Sequence, residues 1–360
     1  MTSVPDLRLP RRADLLGQDT ASTAFDAALT SGRVGTSYLL YGPAGVGRSL
    51  GAALFGAALL CASPRGCDPC GSCKSCHLNA VGTHGDFLAV SGATGPFFKD
   101  DSEAQRAPPQ SFLRAARTES PGASRKSVPV RTLRRLQAFL ALKAVAGGRK
   151  VVLLDGMEEI EEEGAATLLK TLEEPPPRTT LLLLAESQDG VMDTILSRCQ
   201  RIRFRPLAPD LVETLLRRHG GDAFAALSAE RRQLLTRIGQ GSVGRSLDAL
   251  AAGLHENGYE AVRALFEGGP REGAGEERAL QWVLAPARDL GAQRARLRQL
   301  AALLLLEARD RAAQSGSTAV LQGVVKAAQG ALESVQANVS PELVVTALWV
   351  RLRRALAAAR

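Results

Sequence analysis

The sequence is poor in lysine. Only Lys74, Lys99, Lys126, Lys143, Lys150, Lys170 and Lys326 contribute to its 45 basic residues, so arginine carries the positive charge. It also lacks long apolar runs: stretches such as Leu181 to Ala185 and Ala301 to Leu306 fall far short of the roughly 20 residues a membrane-spanning helix needs. No membrane partner is expected. Met1 to Asp14 has no apolar core for a secretory signal, because Asp6, Arg8, Arg11 and Arg12 interrupt it, and the expected location is cytoplasmic. Cysteine is scarce outside one cluster, with five of the six between Cys61 and Cys76. In a reducing compartment such a cluster reads as a metal site rather than as disulfides.

What is present is the make-up of a folded chain. Its 360 residues, 45% hydrophobic and 23% charged, exclude a disordered protein and allow two to three domains, each with its own core. The net charge of +8 favours association with phosphate backbones or acidic partners.

Residues 15 to 205 alternate strand-like and helical patterns. Ser37 to Tyr41 is a short apolar run that ends at a glycine-rich turn, and Ser49 to Leu60 then repeats apolar residues at helical spacing. Lys150 to Asp155 and Thr179 to Ala185 are further apolar runs, and runs apolar on both faces suit a parallel sheet covered by helices. Between them, residues 92 to 130 are rich in Gly, Pro, Ser and charge and read as a long surface insertion. Val130 to Ala144 carries an amphipathic helical pattern through Leu133, Leu136, Phe139, Leu140 and Leu142. After Phe204 the strand patterns stop. Helices are expected around Val212 to Arg218, Ala229 to Ile238 and Gly244 to Leu250, a linker composition follows from Gly268 to Glu277, and the remainder is helical, with Ser340-Pro341-Glu342 opening the last helix. The expected fold class is α/β, with residues 1–205 as a P-loop domain, 206–267 as a small helical domain and 268–360 as a helical C-terminal domain.

Gly42-Pro-Ala-Gly-Val-Gly-Arg-Ser49 lies where a phosphate-binding loop belongs, after a strand and before a helix. Gly42, Gly45 and Gly47 allow successive N–H groups to turn toward phosphate oxygens, and Ser49 stands where a hydroxyl would reach Mg²⁺. The lysine of this pattern is replaced by Arg48, whose planar guanidinium is not interchangeable with an ammonium. Asp155, at the end of an apolar strand, is placed to order Mg²⁺ through water, yet Gly156 follows it, and glycine cannot orient or deprotonate an attacking water. Two departures at the chemistry argue against ATP and Mg²⁺ turnover here. Glu158 and Glu159 read as the solvated first turn of the next helix.

Cys61-x8-Cys70-x2-Cys73-x2-Cys76 offers four thiolates with the knuckle spacing of a tetrahedral Zn²⁺ site. Cys67 also completes Cys67-x2-Cys70-x2-Cys73-x2-Cys76, a run near iron–sulfur spacings, and spacing alone leaves both sets open. Cys199 reads as a small buried residue.

Taken in order, Leu15-Leu-Gly-Gln18, the loop from Gly42 to Ser49, the cysteine series, Gly82-Thr-His-Gly-Asp86, Leu168-Leu-Lys-Thr-Leu-Glu-Glu-Pro-Pro176 and Ser197-Arg-Cys199 resemble the bacterial DNA polymerase III clamp-loader subunits of the AAA+ class. The resemblance covers about residues 15 to 250. It implies an AAA+ P-loop domain with an inserted zinc module at about 61–80, a helical lid and a helical collar. It implies structural zinc on Cys61, Cys70, Cys73 and Cys76, with Cys67 spare. It places Arg198 on the arginine that reaches in trans to the γ-phosphate of ATP in a neighbouring subunit, and Arg245 at the position of a second sensor on the lid. With Arg48 and Gly156 out of pattern, it implies a non-hydrolysing subunit. The expected partners are gamma/tau and delta subunits and, through the assembly, the sliding clamp and primer-template DNA. The competing readings are an ATP-hydrolysing gamma/tau-type subunit and a stand-alone zinc or iron–sulfur nucleic-acid-binding protein.

Overall fold

The computed structural model describes residues 9–91, 128, 130–145, 148–267, 274–284, 290–316 and 318–358. The expected insertion at 92–130 lies outside the described residues apart from Val128 and Val130. The chain divides into two compact units, one ending at Leu211 and the other running from Val212 onward.

The first unit is built on a five-stranded parallel sheet: β1 (Ser37–Tyr41), β2 (Phe87–Ser91), β3 (Lys150–Asp155), β4 (Thr179–Ala185) and β5 (Gln200–Arg203), in the order β2-β3-β4-β1-β5. Between them run α1 (Asp19–Ser31), α2 (Arg48–Leu60), α3 (Lys74–Val81), α4 (Val130–Ala141), α5 (Glu162–Glu173) and the short α6 (Asp193–Leu196). The apolar strands are central because both their faces are covered. Tyr38, Leu40, Val151, Leu153, Leu182 and Leu184 pack with Phe25 of α1 and Ala52 and Phe55 of α2. The alternate residues Leu39, Val152, Leu154, Leu181 and Leu183 pack with Leu133, Leu136, Leu168 and Leu172 of α4 and α5. Strands β1, β3 and β4 coincide with the apolar runs of the sequence. Strands β2 and β5 were not anticipated. Arg201 and Arg203 of β5 face solvent, so the strand lies at the sheet edge without the continuous apolar run of the central strands.

The second unit is helical wherever it is described. It contains most of α7 (Pro209–His219), then α8 (Gly221–Ala225), α9 (Ala229–Gly239), α10 (Val243–Ala251), a π-helical turn over Leu254–Gly258, α11 (Tyr259–Glu267), α12 (Ala274–Leu284), α13 (Leu290–Ser315), α14 (Ala319–Gln336) and α15 (Pro341–Ala358). α8 begins at Gly221, directly after Gly220, and this Gly-Gly pair reads as a turn and hid the helix. The 26-residue α13 packs its leucine face against α14. Arg237 of α9 pairs with Glu307 and Asp310 of α13, and the Trp282 indole donates to the Ala252 carbonyl at 2.8 Å.

Candidate functional site

In an open parallel sheet the carboxyl ends of the strands form the crevice where ligands bind. β1 and β3 both end at that edge, separated by β4: Tyr41 aligns with Ala185, and Asp155 with Leu184. Gly42 follows β1 at φ +153 and donates to the Ala185 carbonyl at 3.2 Å. A Cβ at Gly42 would lie 2.2 Å from the Phe204 carbonyl oxygen, so the turn admits only glycine. Gly47, at φ +105, begins α2 without a side-chain cap. The buried amide of Gln18 fastens the loop from behind. Its Nε2 donates to the Val46 carbonyl at 3.2 Å and the Arg205 carbonyl at 2.7 Å, and its Oε1 accepts from the Arg205 amide at 3.0 Å.

Arg48 and Ser49 are both buried at the start of α2. Asp155 is buried and accepts from the Gly156 amide at 2.9 Å, with Gly156 at φ +84. The structure therefore brings Gly42, Gly45, Gly47, Arg48, Ser49 and Asp155 into one unit, on one edge of its sheet. Arg245 belongs to the other unit. It is exposed in the first turn of α10, where its amide donates to the Ser242 hydroxyl at 3.1 Å.

Glu158 departs from expectation. It is half-buried: its Oε1 accepts the amides of Glu186 and Ser187 just beyond β4, while its buried Oε2 has no hydrogen-bond partner among the described residues. That bond ties the turn after β3 to the end of β4.

Cys61 ends α2 and Cys73 caps α3, with Cys70 and Cys76 between and after them. The Sγ atoms of Cys61, Cys70, Cys73 and Cys76 lie within 4.8 Å of one another and can hold one metal ion. Amides point at the sulfurs: Cys70 N at Cys61 Sγ (3.2 Å), Gly71 N at Cys76 Sγ (3.3 Å), Cys73 N at Cys70 Sγ (3.4 Å) and Cys76 N at Cys73 Sγ (3.5 Å). Such bonds favour thiolates. Cys67 is apart from this group. It is fully buried in the core beside Phe25 and Phe55, its amide donates to Asp26 at 2.6 Å, and burial followed by the bond to Asp26 pushes its thiol up to about 12. The glycine- and proline-rich composition around it concealed that seat, which α1 provides from outside the loop. Arg12 pairs with the same Asp26, and its amide donates to Asp68 at 2.7 Å, so the N-terminal turn clasps the cysteine loop.

His84 ties α3 to the sheet. Its Nε2 lies 2.7 Å from the Ser75 hydroxyl, its Nδ1 accepts from the Asp86 amide at 3.1 Å, and burial lowers its pKa below the ordinary value.

Arg198 stands just past α6. Its Nη1 donates to the Thr194 carbonyl (2.8 Å) and the Ser197 hydroxyl (3.2 Å), and its Nη2 to Glu173 at the end of α5 (2.7 Å). The Arg198 side chain is 36% exposed. Nothing in the sequence signals this pairing across 25 residues. Cys199 is half-buried, and burial raises its thiol to about 11, as expected of an inert residue.

These features define a P-loop α/β protein with a four-cysteine knuckle. The family model described as DNA polymerase III, delta subunit, matches residues 17–208, and the chain belongs to that family as a delta prime-type clamp-loader subunit. It is 36% identical over 163 residues to the DNA polymerase III subunit delta' of Pseudomonas aeruginosa, covering 45% of this chain and 41% of that protein. It is also 36% identical over 64 residues to DNA polymerase III subunit gamma/tau of Mycobacterium tuberculosis, covering 18% of this chain and 11% of that one. The chain thus spans less than half the length of these curated relatives. A DNA polymerase III gamma subunit-related protein from Thermotoga maritima shares the fold at a TM-score of 0.50 and 15% identity, over 93% of this chain and 99% of that one.

Proposed function

We propose that this chain is a non-hydrolysing stator of the clamp loader, which supplies Arg198 in trans to the ATP site of a neighbouring subunit and so helps to load the sliding clamp on primer-template DNA. The observation that carries the reading is Gly156: the residue after Asp155 has no side chain with which to orient or deprotonate an attacking water. Gly42, Gly45, Gly47, Arg48, Ser49, Asp155 and Arg245 would then be the remnant of a nucleotide site. A guanidinium offered from another chain stabilises charge on the transferred phosphoryl group and makes hydrolysis depend on assembly. Residues 206–267 would act as the lid and 268–360 as the collar, with gamma/tau and delta subunits as partners.

The knuckle would hold structural zinc on Cys61, Cys70, Cys73 and Cys76. A Zn–S bond of about 2.3 Å gives a tetrahedral edge of about 3.8 Å. Sγ separations of 3.9 Å for Cys61 and Cys73, 3.9 Å for Cys70 and Cys76, and 3.6 Å for Cys61 and Cys76 support that size of ion. The ion would supply folding energy to a loop whose composition provides little core.

The test is steady-state ATP turnover. The isolated chain is expected to show none, and a reconstituted complex with DNA and clamp is expected to lose turnover when it carries Arg198→Ala. Turnover by the isolated chain that Asp155→Ala abolishes would instead establish the gamma/tau-type reading, which the 64-residue similarity to gamma/tau favours.

A further inference from the structure

The segment ahead of α1 brings an arginine to the cysteine knuckle. Leu9 packs with Ala57 and Cys76, and Arg11, two residues on, directs its guanidinium at the backbone on either side of Cys70. Its Nη1 donates to the Pro69 carbonyl. Its Nη2 stands 2.8 Å from where a Cβ would project from Gly71, which lies at φ +80. A side chain at position 71 would displace the guanidinium as well as strain the backbone.

The Pro69 carbonyl and the Cys70 amide belong to one peptide group, and in a trans peptide they point in opposite directions. Arg11 lies on the carbonyl side. On the amide side, at 3.2 Å, lies Cys61 Sγ. A cation that donates to the carbonyl polarises the peptide and makes its N–H a stronger donor. Guanidinium, peptide and sulfur thus form one chain of hydrogen bonds with its positive end turned toward the knuckle. Four thiolates around a divalent ion carry surplus negative charge, which such a chain offsets. Arg12 is placed differently, because its guanidinium pairs with Asp26. Among the described residues no carboxylate pairs with the Arg11 guanidinium.

We infer that Arg11 is a positioning residue of the knuckle: acting through the peptide between Pro69 and Cys70 rather than by contact with sulfur, it strengthens the hydrogen bond to Cys61 Sγ and so sets how tightly the ion is held. The inference rests on the reading of the four cysteines as a zinc site, and it is independent of the roles given to Arg198 and Gly156. Partners that hydrogen-bond around metal ligands commonly govern affinity by about 10- to 100-fold.

The full chain is loaded with Zn²⁺ and competed with a chelator, and is loaded with Co²⁺ for absorption spectroscopy. The parent should bind one Zn²⁺ per chain. Arg11→Met should weaken zinc binding about tenfold or more. In the Co²⁺ form of that variant the sulfur-to-metal charge-transfer band should move to longer wavelength, because a thiolate with a weaker hydrogen bond gives up charge more readily. Arg11→Lys keeps the cation and Arg11→Gln keeps only a donor, so the lysine variant should hold zinc more tightly than the glutamine variant. Arg12→Met breaks the ion pair to Asp26 in the same turn but leaves the peptide at Cys70 untouched, and it should match the parent in affinity and band position. The role of Arg11 is overturned if Arg11→Met retains parental affinity, if its charge-transfer band stays in place, or if the lysine and glutamine variants are alike. It is equally overturned if Arg12→Met loses zinc to the same extent, since general loosening of the turn would then explain the effect. A parent chain that binds no zinc would end the zinc reading itself and this inference with it, whereas a zinc-bound parent with an indifferent Arg11 would end the inference alone.

Discussion

Two arginines of the first unit are held in opposite ways. Arg198 is exposed and has three partners from its own chain, Thr194, Ser197 and Glu173. Arg48 is buried, and its Nη1 has no hydrogen-bond partner among the described residues. The difference separates a group that is stored from a group that is waiting. Water competes well for an exposed guanidinium, so its bonds are cheap to exchange and the side chain can be handed to another molecule. A buried guanidinium has no such exchange with water. The cysteine knuckle belongs with Arg48: its four sulfurs face each other and share no cation from the described chain.

The sharpest way to break the contrast is Arg198→Ala. If Arg198 is stored for delivery, the chain should fold and assemble as before, while hydrolysis at the site it serves falls on the order of 10³-fold. Single-turnover measurements on the complex read that loss directly, and the bulk rate falls less because other sites continue. An unchanged rate would make Arg198 an ordinary surface residue.

The next largest effect is expected at the knuckle. Cys70→Ser should lose stoichiometric metal and loosen residues 61–76 while the sheet stays folded, as read by metal analysis and amide hydrogen exchange. Cys67→Ser should keep its metal, because Cys67 packs in the core and not on the ion site. Metal release from Cys67→Ser with retention in Cys61→Ser would reverse the ligand assignment.

A smaller version of the Arg48 situation occurs in the second unit. Asp248 has a buried Oδ2 without a partner, and burial raises its carboxyl from 3.8 to about 7. A raised acid pKa means that the stability Asp248 contributes is fully present below about pH 4 and is lost as pH rises through about 7. Asp248→Asn should therefore melt like the parent in acid and about 2–4 °C higher at pH 8, a gain kept modest by partial solvation. The smallest effect is expected from Glu173→Gln. It removes an exposed ion pair, and chemical denaturation should show a change below about 1 kcal/mol. A larger loss would mean that Arg198 is built in rather than stored.

The central sheet was legible because β1, β3 and β4 are apolar on both faces, and the loop and knuckle were legible because their chemistry is contiguous in sequence. β5 was hidden because Arg201 and Arg203 face solvent while only Ile202 between them is buried. The core seat of Cys67, the occupation of Glu158 and the Glu173 to Arg198 pairing depend on residues 25 or more positions away. No local pattern encodes such meetings.

The position of β1 has a consequence for biosynthesis. Among the described strands it is the first made, yet its neighbours are β4 and β5, and they begin at Thr179 and Gln200. At translation rates of about 5–20 residues per second, Ser-Tyr-Leu-Leu-Tyr emerges on the order of 10 s before any strand exists to pair with it. The nascent chain must carry this apolar segment unsheltered until Thr179–Ala185 is synthesised. Slow β4 synthesis, through rare codons placed ahead of residue 179, should therefore lengthen chaperone occupancy of the nascent chain, whereas the same delay after residue 203 should not.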